Sequence, residues 1–208
     1  MSSSESEPSA VAESDADRIR QNDESLTDII INKDVDIAEI LDALKNNTVV
    51  KEVYFYPEYS VQLNQEALDK LSEVMKCNKS VESLQIYLRG GLLRERFFAT
   101  MATSGGWSSI QELYVLGHVL DGTSLSLREA EHVSTFIFQS ENLHTLSLPM
   151  CTMMRGDDLV SIVETLVVRT NTKVQSLEIL FDDYAFSLQN GGRQCTTAVG
   201  RCTCTTEL

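Results

Sequence analysis

Residues 73–86 read EVMKCNKSVESLQI, and this stretch decides the fold. Val74 and Met75 close a run with helical spacing, Asn78 follows, and Val81, Leu84 and Ile86 then set an apolar frame in which the last two positions alternate like one face of a strand. The same order occurs upstream in DALKNNTVVKEVYF, residues 42–55, with Asn47 ahead of Val50, Val53 and Phe55. Three further segments carry the frame: Ile110, Leu113 and Val115; Leu143, Leu146 and Leu148; and Val174, Leu177 and Ile179. The starting positions 50, 81, 110, 143 and 174 lie 31, 29, 33 and 31 residues apart, a near-constant period that marks an internal repeat.

Helical spacing precedes most triplets. Ile37, Ile40, Leu41 and Leu44 fall on one helix face, and Leu68, Leu71 and Met75 repeat it. Phe97 and Met101 continue the series, as do Ala130, Val133 and Ile137, while Leu159, Ile162, Val163, Leu166 and Val167 form a fifth stripe in a shifted phase. Asn47, Asn78 and Asn171 recur three residues before a triplet, where a left-handed asparagine would end the helix. Gly105-Gly106 takes that place in the third repeat, and Trp107 occupies the asparagine slot. One strand and one helix per repeat predict an α/β solenoid of about five units. Its strands form a parallel sheet on the concave side, its helices cover the convex side, and the triplets point between the two layers. No single unit buries its apolar face alone, so stability must come from stacking.

The frame and the helix–Asn–strand order resemble the leucine-rich repeat family, in its longer, ribonuclease-inhibitor-like form, over roughly residues 33–182. The family usually places Asn or Cys three residues after the last strand position. Here that column reads Glu58, Arg89, His118, Cys151 and Asp182, so the turns after the strands are expected to be looser or differently satisfied. The resemblance implies a non-enzymatic scaffold for protein–protein interaction. Actin-filament cappers, GTPase activators and immune sensor regions use similar scaffolds, so a regulator of a small GTPase or of the cytoskeleton, or a structural piece of a larger repeat array, stand as alternatives.

With the triplets facing the helices, the residues between them face the open side. One column reads Tyr54, Gln85, Tyr114, Ser147 and Glu178, the next Tyr56, Tyr87, Leu116, Pro149 and Leu180, and a third Glu52, Ser83, Glu112, Thr145 and Ser176. Tyrosine offers a large contact area with a polar tip at low ordering cost. Tyr54, Tyr56, Gln85, Tyr87, Glu112, Tyr114 and Leu116 are therefore the candidate binding residues for a protein or peptide. Glu52 and Glu112 favour a basic partner. The competing reading is that neighbouring tyrosines stack along the ladder and only shield the sheet.

Composition narrows the remaining choices. The 208 residues carry 31 acidic and 17 basic side chains, a net charge of −14, which disfavours nucleic acid and anionic membranes as partners. No apolar run approaches the ~18 residues of a spanning helix, and no secretory signal is visible. The 5 Cys are too irregular for a disulfide framework, which points to a reducing, cytoplasmic setting. The 3 His are dispersed, and no nucleophile elbow, phosphate loop, zinc-hydrolase or dinucleotide fingerprint occurs, so neither catalytic residues, a metal site nor a cofactor is expected. His118 reads as a loop residue and His132 as part of a solvated helix face. Arg89, on a turn, is the only handhold for a GTPase-activating role.

The ends differ from the middle. Residues 1–28 hold 8 acidic and 2 basic residues with many serines, which predicts a disordered leader, and Ser4 and Ser14 each have an acid three residues on. The repeat domain is expected over 33–186. Residues 187–208 lose the pattern and concentrate Cys195, Cys202 and Cys204. This tail either folds back as a cap, is covered by a partner, or marks a truncated or misread end of a longer array, the reading preferred from composition.

Overall fold

The strand half of each motif forms the sheet. The computed structural model describes residues 14–31, 36–55, 63–88, 90–117, 125–149, 176–180, 185–189, 197–198 and 201–202, with side chains through residue 148. In chain order the elements are α1 (Asp15–Arg20), β1 (Asp28–Ile31), α2 (Ile37–Leu44), β2 (Glu52–Phe55), α3 (Gln65–Cys77), β3 (Ser83–Leu88), α4 (Gly91–Thr103), β4 (Glu112–Gly117), α5 (Leu127–Gln139), β5 (Thr145–Pro149), β6 (Ser176–Leu180), β7 (Ala185–Gln189), β8 (Thr197–Ala198) and β9 (Arg201–Cys202). Strands β1 to β7 form one sheet in sequence order, and β8 pairs with β9. β1 through β6 run parallel, and β7 returns antiparallel along β6.

The register confirms the repeat. Val53 pairs with Leu84, Leu84 with Leu113, Leu113 with Leu146 and Leu146 with Leu177. All twelve triplet side chains of the first four repeats are buried. So are Ile40, Leu41 and Leu44 of α2, Leu68, Leu71 and Met75 of α3, Phe97 and Met101 of α4, and Ala130, Val133 and Ile137 of α5. One continuous core lies between the helix layer and the sheet. Helices need about 8–10 Å of lateral room and strands only ~4.8 Å, so stacking bends the array with its sheet inside.

Local signals set the helix starts. Asp36 accepts from the Ala38 and Glu39 amides, Asn64 accepts from Ala67, and Ser126 with Glu129 completes a reciprocal capping box. Between neighbouring helices, Lys45 pairs with Glu73 at 2.9 Å, Lys70 with Asp42 at 2.7 Å and Arg20 with Glu39 at 3.1 Å. These pairs lie at the surface, where solvent screens them, so each adds little to stability. They favour the correct stacking order more than overall stability.

Part of the expected acidic leader is folded. Ser14 caps α1, whose Ala16 and Ile19 are buried, and β1 extends the parallel sheet before the first repeat, with Ile29 opposite Val53 and Ile31 opposite Phe55. Leu26, Ile29 and Ile31 carry the triplet frame, displaced 24 residues from Val50, Val53 and Phe55 rather than about 31. Burial of Ala16, Ile19, Ile29 and Ile31, with Leu26 packed against them, offsets the ordering entropy that the surrounding acids and serines suggested would win. Residues 1–13 lie outside the described residues.

The asparagines act differently from the expected left-handed stop. Asn78 is extended, with φ −67° and ψ 137°, and the one positive-φ non-glycine among the described residues is Asn22. Asn47 and Asn78 are buried and work through their side chains, and Asn171 lies outside the described residues. The Asn78 amide donates to the carbonyls of Leu44 at 2.6 Å and Asn47 at 3.1 Å, while its oxygen accepts from the Ser80 and Val81 amides, each at 2.8 Å. Asn47 repeats this one unit earlier, donating to the Ile19 carbonyl at 2.7 Å and accepting from Val49 and Val50. Ser80 Oγ donates to the Asn47 carbonyl and Ser109 Oγ to that of Asn78, so successive helix-to-strand corners are stitched in sequence.

The third repeat breaks this polar column. Gly105 and Gly106 have φ of 83° and 82°, as the sequence suggested, and a Cβ on Gly106 would sit 2.3 Å from the Gln139 carbonyl oxygen. Trp107, fully buried, replaces the asparagine amide with an indole packed edge-on against Phe136 at 5.1 Å and near Phe97 at 6.3 Å. Arg94 and Glu129, 4% and 3% exposed, form an ion pair between α4 and α5, with Arg94 Nε donating to Glu129 Oε1 at 2.7 Å. Glu129 Oε2 also accepts from the Ser126 amide at 2.7 Å, so one carboxylate both starts α5 and holds it against α4.

The C-terminal segment contributes β7, which folds back on β6 in register from Ala185 opposite Leu180 to Gln189 opposite Ser176. The turn column Glu58, Arg89, His118, Cys151 and Asp182, and with it the expected looser turns, lies outside the described residues.

Candidate functional site

Period-2 alternation sends the intervening residues to the side of the sheet away from the helices. The columns match those drawn from sequence. Asp28, Glu52, Ser83, Glu112 and Thr145 are in register, and Ile30, Tyr54, Gln85, Tyr114 and Ser147 are in register two residues on. Tyr87 pairs with Leu116 in the next column. Tyr54, Gln85, Tyr87, Glu112, Tyr114 and Leu116 are all half-buried, and Glu52 is exposed. Tyr56 lies outside the described residues. Ser147, placed on the same face by its register, is buried, so among the described side chains of this column the open ones run from Ile30 to Tyr114.

The face has local chemistry. Tyr54 donates its hydroxyl proton to Glu52 Oε2, and Tyr114 donates to Glu112 Oε2 at 3.2 Å. Each pair sits two residues apart on one strand, so pleating places both side chains on the same surface. The two phenols thus orient two carboxylates on β2 and β4, with Gln85 of β3 between them. Just before the strands, and one residue out of phase with this face, Lys51 bonds Glu82 at 2.6 Å, and His144 Nε2 lies 3.3 Å from Gln111 Oε1. Toward the strand ends, Tyr87 and Leu116 make the surface apolar. Ile30 on β1 adds an aliphatic side chain that is 54% exposed.

Three residues stand differently from their expected places. His132 is half-buried rather than on a solvated face, and its Nε2 is buried without a hydrogen-bond partner. Arg94 was not foreseen, because a charge in a helix ordinarily marks the solvent side. Ile30 was missed with the rest of β1, although its frame is legible once the short 24-residue spacing is allowed. Among the described residues, no group of three or more His, Cys, Asp or Glu is placed to hold a metal ion, and no helix is long and apolar enough to cross a membrane.

No family model matches the chain, and no curated protein does. Among solved structures it is similar to leiomodin-1 actin-binding site 2, with a TM-score of 0.52 and 16% identity over 74% of this chain and 86% of that one. It is also similar to the tropomodulin C-terminal domain of Caenorhabditis elegans, with a TM-score of 0.50 and 16% identity over 74% of this chain and 90% of that one. At such identity the likeness speaks to the fold, and it is a leucine-rich-repeat-like one: parallel strands alternating with helices.

Proposed function

We propose that this protein is a non-enzymatic binding scaffold of the cytoskeleton, holding a protein partner on the open face of its sheet. The carrying observation is the pair of tyrosine-oriented carboxylates, Tyr54–Glu52 and Tyr114–Glu112, on a face left open by the helix layer. An oriented carboxylate beside an aromatic ring suits a Lys or Arg flanked by apolar contacts, so the partner is basic at this surface. The shared fold with an actin-binding site makes the actin cytoskeleton the first place to look, ahead of a GTPase. A cytoplasmic location follows from that assignment. The near-31-residue helical repeat supports the ribonuclease-inhibitor-like type within the leucine-rich repeat class.

Sedimentation with filamentous actin and anisotropy with monomeric actin test the first candidate. Affinity capture then compares the natural protein with a Tyr54→Ala/Tyr87→Ala/Tyr114→Ala variant that keeps its circular dichroism and cooperative melt. Loss of the specific partner from the variant is expected. Full retention would show that the tyrosines only shield the sheet.

A further inference from the structure

We infer that the open face is shaped for one amphipathic helix of a partner, lying across the strands, with basic residues along one flank and apolar residues along the other. This rests on the proposed working face and adds the partner's form. The first observation is the gradient along each strand. Glu52 and Glu112 lie at the strand starts, Tyr54 and Tyr114 in the middle, and Tyr87 and Leu116 toward the strand ends. From the carboxylate column to the Tyr87–Leu116 column is four residues, about 13 Å at the rise of an extended chain, which matches the roughly 10–12 Å width of a helix with its side chains. An extended peptide across the strands would span only one of these columns.

The second observation is spacing along the array. Adjacent strands are ~4.8 Å apart and a helix advances about 5.4 Å per turn, so a helix crossing the strands offers close to one side chain per strand. Glu52 and Glu112 are on β2 and β4 with β3 between, about 9.6 Å apart. Two lysines or arginines at i and i+7 are separated by about 10.5 Å along one helix flank, and their flexible stems absorb the difference. The opposite flank then places Leu, Met or aromatic residues over Tyr87 and Leu116, the arrangement by which amphipathic helices dock in grooves generally. Charge favours the basic partner at long range as well, since the chain carries −14. It disfavours a second copy of this chain in the same place.

The test uses the full-length protein and two synthetic helical peptides of identical composition, each with a leucine stripe. One carries two lysines at i and i+7, and the other carries them at i and i+5, which a helix turns to different faces. Fluorescence anisotropy at about 0.15 M salt limits indiscriminate attraction of cationic peptides. The in-phase peptide should bind at least about tenfold more tightly than the out-of-phase one. Glu52→Gln/Glu112→Gln should erase that preference, and Tyr87→Ser/Leu116→Ser should weaken both peptides. Equal binding of the two peptides, or binding of neither, overturns the helical inference. If equal binding is still lost in Tyr54→Ala/Tyr114→Ala, the face remains the working surface. If binding ignores both sets of variants, the face reading fails with it.

Discussion

Replacing Asn78 with alanine removes the side chain that joins three stretches of backbone. The residue is 1% exposed, so water does not readily substitute for it. Its loss leaves the Ser80 and Val81 amides without their side-chain partner, whereas the Leu44 carbonyl keeps the Asn47 amide at 3.1 Å and the Asn47 carbonyl keeps the Ser80 hydroxyl at 2.9 Å. An orphaned buried polar group costs roughly 1–3 kcal/mol, and partial relaxation around a small deletion brings the two amides to about 2–4 kcal/mol in total. Asn78→Asp sharpens the argument. It keeps the acceptor toward Ser80 and Val81 but turns a carboxylate oxygen toward the Leu44 carbonyl, so it should be at least as damaging at neutral pH despite its equal size. Urea unfolding read by far-ultraviolet circular dichroism gives both values, and hydrogen exchange at Ser80 and Val81 localises them. A loss below about 1 kcal/mol for alanine, or a neutral aspartate, would refute the stitching role.

Leu84→Ala or Leu146→Ala, each a fully buried triplet position, should cost ~2–5 kcal/mol in urea unfolding, and a cost under ~1 kcal/mol would remove these side chains from the core. Arg94→Met strands the Glu129 carboxylate between α4 and α5 and should cost about 3–5 kcal/mol, and Arg94→Met/Glu129→Gln, which keeps a capping side chain, should be the more stable of the two in chemical denaturation. Asp23 is held down to about 2 by the Ser25 hydroxyl and amide and by Arg18. A carboxyl lowered on folding contributes stability above its unfolded value of about 3.9, and that contribution is lost as pH falls through the folded value. Urea midpoints measured from neutral pH downward should therefore fall more steeply in the natural protein than in Asp23→Asn, and parallel curves would refute the assignment.

The triplets of the first four repeats and the stripes of α2 to α5 were legible because burial writes itself directly into apolar periodicity, while the stripe from Leu159 to Val167 lies outside the described residues. Val50, Leu84 and Val133 need no partner to be recognised, only a period. What escaped was of another kind. The β1 frame at Leu26, Ile29 and Ile31 was hidden by a shorter spacing and by the acids around it. The asparagines were correctly singled out, but their role depends on carbonyls about 30 residues upstream, which local conformational preference does not reveal. Arg94 reads as a surface residue until Glu129 is brought beside it. At the candidate site, alternation alone placed Tyr54, Gln85, Tyr87, Glu112, Tyr114 and Leu116 on one face. The Glu-x-Tyr spacing carried the hydrogen bonds in plain view, since two residues on one strand face always neighbour each other. Ser147 stands in the expected column but is buried, because register gives the direction of a side chain and not how far its neighbours overshadow it.

The switch from amide to indole at the third corner has a consequence for watching this molecule come apart. Trp107 is the only tryptophan in the chain, and it sits where hydrogen-bonded stitching gives way to aromatic packing. Its emission therefore reports one joint of the array, while circular dichroism averages over all of them. If the array unzips from either end before that joint yields, the two optical signals will part company during denaturation, and the order in which they change will name the end that frays first.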